Sequence, residues 1–347
     1  MSLALNLAKK GRYTVSPNPM VGCVIVKNNK IIGQGWHERA GESHAEVIAL
    51  KEAGSAAKGA TVYVTLEPCC HTGRTPPCTQ ALIKAGIKKI YIATLDPNPL
   101  VAGKGMQELK NNGIDITAGL NEDEAIALNE IFFHYIKTKQ PYIISKWAMS
   151  LDGRMICHPH DSREITHTQT NVYTHEIRHL VDAILIGAKT AAIDNPQLTV
   201  RHYDPGCTVK HPKRIILSGK GNLPLDLNIF SKELPGKTLV VTTEQADQKW
   251  INDCREKNID LMVLPNQLRG EINLFDLLNA LGKLEITSIL VEGGMMTQYN
   301  FIKNNLVNKL QVFIAPVIIG PVEKKLKLPD LTMLDHGKDF SFMTTLR

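Results

Sequence analysis

Apolar residues near the N-terminus switch repeatedly between strand spacing and helix spacing. Residues 21–26 (VGCVIV) and 31–36 (IIGQGW) are short runs that flank Asn28-Asn29. That pattern predicts a strand pair joined by a turn. Residues 43–54 read as a helix stopped by Gly54. Residues 60–66 and 89–95 are apolar, β-branched strands, and between them Pro77 opens a helix that ends at Gly86. A helix over 104–112, a strand over 114–117 and a longer helix over 122–137 complete the series. Strand and helix alternating in this way predict a three-layer α/β unit.

The polar stretch Lys137-Thr138-Lys139-Gln140-Pro141 breaks the pattern and predicts a boundary, with one domain over 1–139 and a second over 140–347. A second α/β series follows the break. It has a strand at 142–148, a Leu151-Asp152-Gly153 turn, a helix near 171–180 and a buried strand at 183–186. Further strands are expected at 214–217, 238–242, 289–291 and 309–315, with a helix over 295–303. No internal repeat or low-complexity segment interrupts either half.

Composition narrows the class. The 347 residues suffice for two cores of ordinary size. A charged fraction of 21% without a long polar tract argues against disorder. The net charge of +6 is scattered in twos and threes, as at Lys9-Lys10 and Lys88-Lys89. Such scatter suits an anionic small substrate and does not mark a nucleic-acid groove. No run of about 18 apolar residues predicts a membrane span. Leu3, Leu5 and Leu7 are followed at once by Lys9, Lys10 and Arg12, which is not a signal-peptide core. The seven cysteines lack the spacing of a secreted disulfide framework. These features predict a cytoplasmic protein, where clusters of Cys and His point to metal.

Candidate chemistry concentrates between residues 44 and 78. His44-Ala45-Glu46 comes first, then Pro68-Cys69, then Cys78. One imidazole and two thiols can hold Zn²⁺ and leave a fourth position open. A glutamate two residues from the histidine can move protons without binding the ion, and the whole pattern is that of zinc deaminases. Zinc in such a set brings the pKa of water to about 7. His44 and Cys78 also fall at predicted helix starts, where the dipole favours thiolate. Other readings of these residues exist. Ser43 with Glu46 is the pattern of a capping box, Pro-Cys near a turn is common as plain structure, and Cys70 or His71 as a fourth ligand would make a structural zinc. The joint arrangement favours catalysis: the histidine and both cysteines lie at strand-to-helix junctions with a spare carboxylate nearby. Cys70 reads as a non-ligand, because adjacent residues rarely reach one ion. Cys23, Cys157, Cys207 and Cys254 read as ordinary core or surface residues. In the second half, residues 288–294 run from a strand into Gly293-Gly294, and the following helix start could hold a phosphate. The strict G-x-G-x-x-G dinucleotide fingerprint is absent, and a Gly-Gly pair alone is usually a turn.

The residues from Thr65 to Cys78 (TLEPCCHTGRTPPC) closely resemble the zinc motif of the bifunctional deaminase-reductases of riboflavin biosynthesis. So do residues 17–26 (PNPMVGCVIV), 40–46 (AGESHAE), 96–99 (DPNP) and 101–105 (VAGKG). Nucleoside and transfer-RNA deaminases place two residues between their cysteines, whereas this chain places eight there. In the second half residues 150–154 (SLDGR), 194–201 (DNPQLTVR) and 291–294 (VEGG) also match, so the resemblance covers nearly the whole chain.

The resemblance implies a cytidine-deaminase-like domain followed by a dihydrofolate-reductase-like domain that uses NADPH. It implies hydrolytic deamination of 2,5-diamino-6-(5-phosphoribosylamino)pyrimidin-4(3H)-one, then reduction of the ribosyl group to a ribityl group. Carried onto this chain, His44, Cys69 and Cys78 would bind zinc and Glu46 would shuttle protons. Asn18 would contact the pyrimidine. Arg74 would suit the substrate phosphate, or stand as an exposed loop charge. The NADPH phosphates would face Gly294, Met295, Met296, Thr297, Gln298, Tyr299 and Asn300, and Ala148, Thr190, Asp194 and Ser218 would line the rest of the cofactor. Ser162, Arg178, Leu198, Arg201 and Glu292 would bind substrate, with Lys146 as a further candidate. The two arginines suit a phosphoribosyl group, which needs a fork of donors, although surface salt bridges would use them equally well.

The chain departs from that family at a few points. Glu164 stands where the family has a tryptophan against the cofactor, His160 replaces a glycine and Asn195 replaces an aspartate. Met1 falls within the family's first helix, and Arg347 falls near the start of its last sheet strand. The expected partners are a small-molecule phosphoribosylaminopyrimidine and further copies of this chain, with neither nucleic acid nor membrane. The alternatives are a deaminase with a weakened reductase domain, or a nucleobase deaminase that acts on RNA.

Overall fold

Strand β1 (Gly22–Lys27) buries side chains on both faces, which makes the first unit three layers deep. Cys23 and Ile25 join one apolar cluster, and Val24 joins another on the opposite face. The computed structural model describes all residues except 72–75, 100, 156–164, 167, 266–269, 321–325, 328–331, 336–339 and 344–347. Two units result: residues 1–142 with 275–287, and residues 143–274 with 288–347.

The first unit holds a five-stranded sheet in the order β2-β1-β3-β4-β5. Its other strands are β2 (Lys30–Trp36), β3 (Thr61–Leu66), β4 (Lys89–Thr94) and β5 (Asp115–Ala118). β1 pairs antiparallel with β2 and β3, while β3/β4 and β4/β5 are parallel. Helices α2 (Ala45–Ala53), α3 (Cys78–Lys84) and α4 (Lys104–Asn111) cover one face through Ala49, Leu82 and Leu109. The other face meets α1 (Ser2–Ala8) and α5 (Glu122–Leu128) through Leu5, Leu7 and Ala125. Helix α2 lies very close to β2. A Cβ on Gly33 would sit 2.2 Å from the Ala49 carbonyl oxygen, and one on Gly35 would sit 2.7 Å from that of Ala45. Only glycine permits this approach, and it fixes the start of α2 against the sheet.

The structure alters two readings of the sequence here. The capping box does not form: His44, rather than Ser43, is the N-cap of α2, and no side chain caps that end. The long helix expected over 122–137 is broken into α5 and α6 (Glu130–Thr138). Asn129 makes the break. Its side-chain amide accepts from the Met20 N–H at 2.8 Å and donates to the Met20 carbonyl at 2.9 Å, so its backbone leaves the helical region.

In the second unit, a seven-stranded sheet runs in the order β10-β9-β8-β7-β11-β6-β12. In chain order its elements are β6 (Tyr142–Ser150), α7 (Thr168–Leu180), β7 (Ala183–Gly187), α8 (Ala188–Asp194), β8 (Lys213–Leu217), β9 (Thr238–Thr243), α9 (Gln248–Glu256) and β10 (Asp260–Leu264). Then α10 (Leu274–Lys283) returns to the first unit, and β11 (Ser288–Val291), α11 (Met295–Lys303) and β12 (Lys309–Ala315) continue the second. The pairings β10/β9, β9/β8, β8/β7, β7/β11 and β6/β12 are parallel. Parallel strands buried on both sides explain the continuous apolar runs at 183–186 and 289–291. Two short pairs, β13 (Val317–Ile318) with β14 (Leu326–Lys327) and β15 (Thr332–Asp335) with β16 (Phe340–Met343), end the described chain. No described helix is long and apolar enough to cross a membrane.

The Asn129 break is open to test. Asn129→Ala removes both bonds to Met20, and about 1–2 kcal/mol of stability should go with them, read from urea unfolding of the intact chain. A loss below the error of that measurement would show that the break does not depend on this amide.

Candidate active sites

Three loops deliver the donor atoms of the first site. His44 precedes α2, Cys69 follows β3, and Cys78 opens α3. His44 Nδ1 lies 3.2 Å from Cys78 Sγ and 3.5 Å from Cys69 Sγ, and all three donor atoms fall within 4.8 Å of one another. Zinc bound tetrahedrally at ordinary Zn–N and Zn–S lengths would set N···S pairs about 3.5 Å apart, so the donor set fits the ion. Cys70 and His71 stand outside this group, which among the described residues leaves a fourth position free of protein. The Cys78 N–H lies 3.4 Å from Cys69 Sγ. Hydrogen bonds from Cys78 and His44 overcome burial and pull the Cys69 thiol down to about 4. The Cys78 thiol is held up by its contact with the Cys69 sulfur and by burial.

Glu46 sits on the first turn of α2, only 3% exposed. Burial pushes its carboxyl above the ordinary range, and the neighbouring Cys69 sulfur adds to this against the pull of His44. A raised carboxyl beside a metal-ligand set is suited to taking and giving protons. The site opens into a cavity of about 420 Å³, enough for a drug-sized molecule. Asn18 lines it and donates through Nδ2 to His37 Nε2 at 3.0 Å. The other ring nitrogen of His37 is 3.2 Å from the Ser43 carbonyl, which selects the tautomer with Nδ1 protonated. Burial keeps this imidazole below its ordinary pKa and therefore neutral.

The second unit gathers charged side chains around the carboxyl end of β11, the kind of place where ligands bind in open α/β sheets. Glu292 follows β11. Its carboxylate takes a bidentate pair from Arg178 on α7, Nε at 2.7 Å and Nη2 at 2.6 Å. Burial works to raise the Glu292 carboxyl, but the guanidinium outweighs it and holds the group below its ordinary value. Lys146 on β6 feels both charges and is lowered, mainly by burial. Arg201 is more exposed and uses one nitrogen, Nη1, on Gln197 at 2.8 Å and Thr199 at 3.0 Å.

A cradle lies beside this cluster. Gly294 precedes α11 with φ +54, and a Cβ there would meet Thr190 Oγ1 at 2.7 Å. A Cβ on Gly187 would come within 2.8 Å of Thr297 Oγ1. Two helix starts, those of α8 and α11, thus approach through bare backbone, as close contact with a dinucleotide phosphate demands. The buried hydroxyl of Ser218, just past β8, has no hydrogen-bond partner among the described residues. A missing polar partner of this kind fits a polar cofactor.

Residues 1–94 match the cytidine and deoxycytidylate deaminase zinc-binding region, and residues 141–340 match the RibD C-terminal domain. The riboflavin biosynthesis protein RibD of Aquifex aeolicus is 45% identical over 320 residues, which cover 92% of this chain and 87% of that protein. The chain belongs to the RibD family. The Escherichia coli RibD is 40% identical over 352 residues, covering 99% of this chain and 94% of the relative. A solved RibD structure from Acinetobacter baumannii superposes with a TM-score of 0.81 at 38% identity, over 96% of this chain and 93% of its own. A Thermotoga maritima structure, described as a diaminohydroxyphosphoribosylaminopyrimidine deaminase/5-amino-6-(5-phosphoribosylamino)uracil reductase, gives 0.80 at 33% identity over 99% and 96%. RibD proteins join a zinc-binding deaminase domain to an NADPH-dependent reductase domain in riboflavin biosynthesis, and the matches over 1–94 and 141–340 show both parts in this chain.

The RibD resemblance carries onto the structure unevenly. Lys146, Arg178 and Glu292 come together in one charged cluster. Arg178, however, has little left for a phosphate. Three of its five N–H bonds go to Glu292 and the Thr199 carbonyl, and it is only 12% exposed. Leu198 is buried, and Asp194 is exposed at the end of α8. Thr190 and Ala148 are half-buried. Met295, Met296, Tyr299 and Asn300 face solvent, but Gln298 turns inward and donates to the Lys146 carbonyl at 3.0 Å. A helix advances about 100° per residue, so consecutive side chains do not share one ligand face. Arg74, Ser162 and Glu164 lie outside the described residues.

Several cavity residues escaped the sequence reading. His37 carried no motif signal. Asp96 and Asn98 stood within a family match without a role, and burial now raises the Asp96 carboxyl to about 6. Tyr135, Lys139 and Glu285 form another wall of the same cavity. In the reductase unit His175 was missed. Its Nδ1 accepts the Arg201 backbone N–H at 3.0 Å and so holds the segment that carries Arg201.

Burial, reinforced by Arg178 and Arg201, lowers His175 from the ordinary 6.5 to about 4. The unfolded chain therefore binds the extra proton first. The contribution of His175 is complete above pH 6.5 and is lost as pH falls toward about 4. Urea unfolding across that window should show stability falling with acid, and His175→Asn should flatten the slope. A slope that persists in the variant assigns the effect to other groups.

Proposed function

We propose that His44, Cys69 and Cys78 are the zinc ligands and Glu46 the proton shuttle of a deaminase acting on 2,5-diamino-6-(5-phosphoribosylamino)pyrimidin-4(3H)-one. The observation that carries this reading is the donor set, with N···S distances of 3.2 and 3.5 Å and a buried glutamate on the adjoining helix turn. Zinc supplies the Lewis acidity that makes water a nucleophile at neutral pH. Glu46 accepts a proton from that water as it attacks the amino-bearing ring carbon, then passes it to the departing amine, which leaves as ammonia. Asn18, braced by His37, holds the ring edge. Cavity walls from Leu66 and Phe132 limit bulk water around the ring.

For the second unit we infer reduction of the ribosyl group of the deaminated product. NADPH supplies the hydride. Gly294 and Thr297 would cradle its phosphates, Ser218 would offer its hydroxyl, and Thr190, Asp194 and Ala148 would border the rest. Lys146, Arg201 and Glu292 would bind the sugar and its phosphate, with Arg178 keeping the Glu292 carboxylate in place through its bidentate pair. A cytoplasmic homo-oligomer acting on a free small molecule completes the proposal.

Glu46→Gln should retain wild-type zinc content while the rate of ammonia release falls by roughly 10²–10⁴-fold. Unchanged ammonia release would refute the shuttle role. A coupled assay tests the second half. With the diaminopyrimidine supplied, ammonia should appear first, and NADPH absorbance should fall only after the deaminated product has formed. Deamination without any NADPH oxidation would leave the deaminase reading alone standing.

A further inference from the structure

Glu67 is a buried carboxylate with three partners and no part in the proton transfers above. It follows β3 directly and precedes Pro68-Cys69, and it is 3% exposed. All three partners are backbone N–H groups. Oε1 accepts from Met106 at 3.0 Å, and Oε2 accepts from Gly103 at 2.9 Å and from Asp96 at 3.3 Å. These donors come from two places. Asp96 lies just beyond β4, on the loop that brings its own side chain and Asn98 to the cavity. Gly103 and Met106 belong to the start of α4, whose N-cap glycine has no side chain to satisfy that end.

The sum is one negative charge stabilised by oriented amides and by the positive end of a helix dipole. The packing is equally tight. A Cβ on Gly105 would sit 2.2 Å from the Pro68 carbonyl oxygen, so α4 starts directly on the peptide that leads to Cys69. Asp96 is tied in turn, with its Oδ1 accepting the Asn98 N–H at 2.8 Å.

We propose that Glu67 is a positioning residue for deamination, which fixes the Asp96–Asn98 loop relative to the strand end that carries Cys69. This rests on the deaminase reading above. Glu67 borders the cavity, but both its oxygens are engaged by backbone N–H groups, so it acts through the loop it holds. It sets where Asp96 and Asn98 stand when the pyrimidine enters. Removing the carboxylate leaves three buried N–H groups without an acceptor and frees the loop, while the three zinc donors keep their own supports.

The test uses the full-length chain and three readouts: zinc content, ammonia release and NADPH-dependent reduction of separately supplied deaminated product. Glu67→Ala should keep zinc content and reduction at wild-type levels. Its kcat/KM for deamination should fall about 10–100-fold, with the loss carried mainly by KM, because the support is lost and the proton shuttle is not. Glu67→Gln should lie between, since its amide oxygen replaces only one of two acceptors. Deamination within about twofold of wild type would overturn the proposal. So would loss of zinc in step with loss of activity, which would make Glu67 a prop for the metal loop. If Glu67→Ala does not fold, Glu67→Gln carries the test, and an unchanged KM there overturns the proposal. A wild-type chain that releases no ammonia would instead refute the deaminase reading, a separate outcome.

Discussion

Three donor atoms from three separate points of the chain lie within 4.8 Å of one another, close enough to hold one metal ion, and much of the first unit serves that geometry. Helix α2 brings His44 into place because Gly33 and Gly35 let it lie against β2 closer than any side chain would allow. Strand β3 carries Cys69, and the first turn of α3 carries Cys78, whose N–H faces the Cys69 sulfur. Each support is a backbone contact, not a long flexible side chain. This is the precision a metal site asks of its scaffold, since errors of a few tenths of an ångström matter at bond-length distances.

The reductase unit solves a different problem. It concentrates Lys146, Arg178, Arg201 and Glu292 in one neighbourhood, and unpaired charges there would be costly to bury. The bidentate Arg178–Glu292 pair at 2.6 and 2.7 Å absorbs most of that cost internally. Lys146 and Arg201 stay less committed and remain the better groups to meet an anionic ligand. Charge in this unit is therefore divided between groups that hold the site together and groups left to bind.

Local pattern carried the zinc constellation, because its residues fall at turn signals and helix starts that a sequence displays directly. The strand series was legible for the same reason. Elements that depend on distant partners were not. Nothing near Asn129 announces that its amide will bond Met20 and split a helix. The capping-box pattern at Ser43 and Glu46 looked complete, yet the chain enters α2 one residue later, and His44 takes the N-cap position. Arg178 was legible as a cation at a site, but its pairing with a carboxylate 114 positions away was not. Gly293-Gly294 was visible as a turn, but the close approach of Thr190 to Gly294 and of Thr297 to Gly187 was not.

The first unit is built from two stretches of chain, and this has a consequence for its birth on the ribosome. Residues 1–142 emerge early, but the segment 275–287, which contributes Glu285 to the cavity wall, follows only after about 130 further residues. At ordinary rates of synthesis that interval lasts on the order of ten seconds. During it, the emerging chain holds its metal donors in an unfinished pocket. The last stretch of the first unit to be made is thus the one that adds Glu285 to the cavity wall.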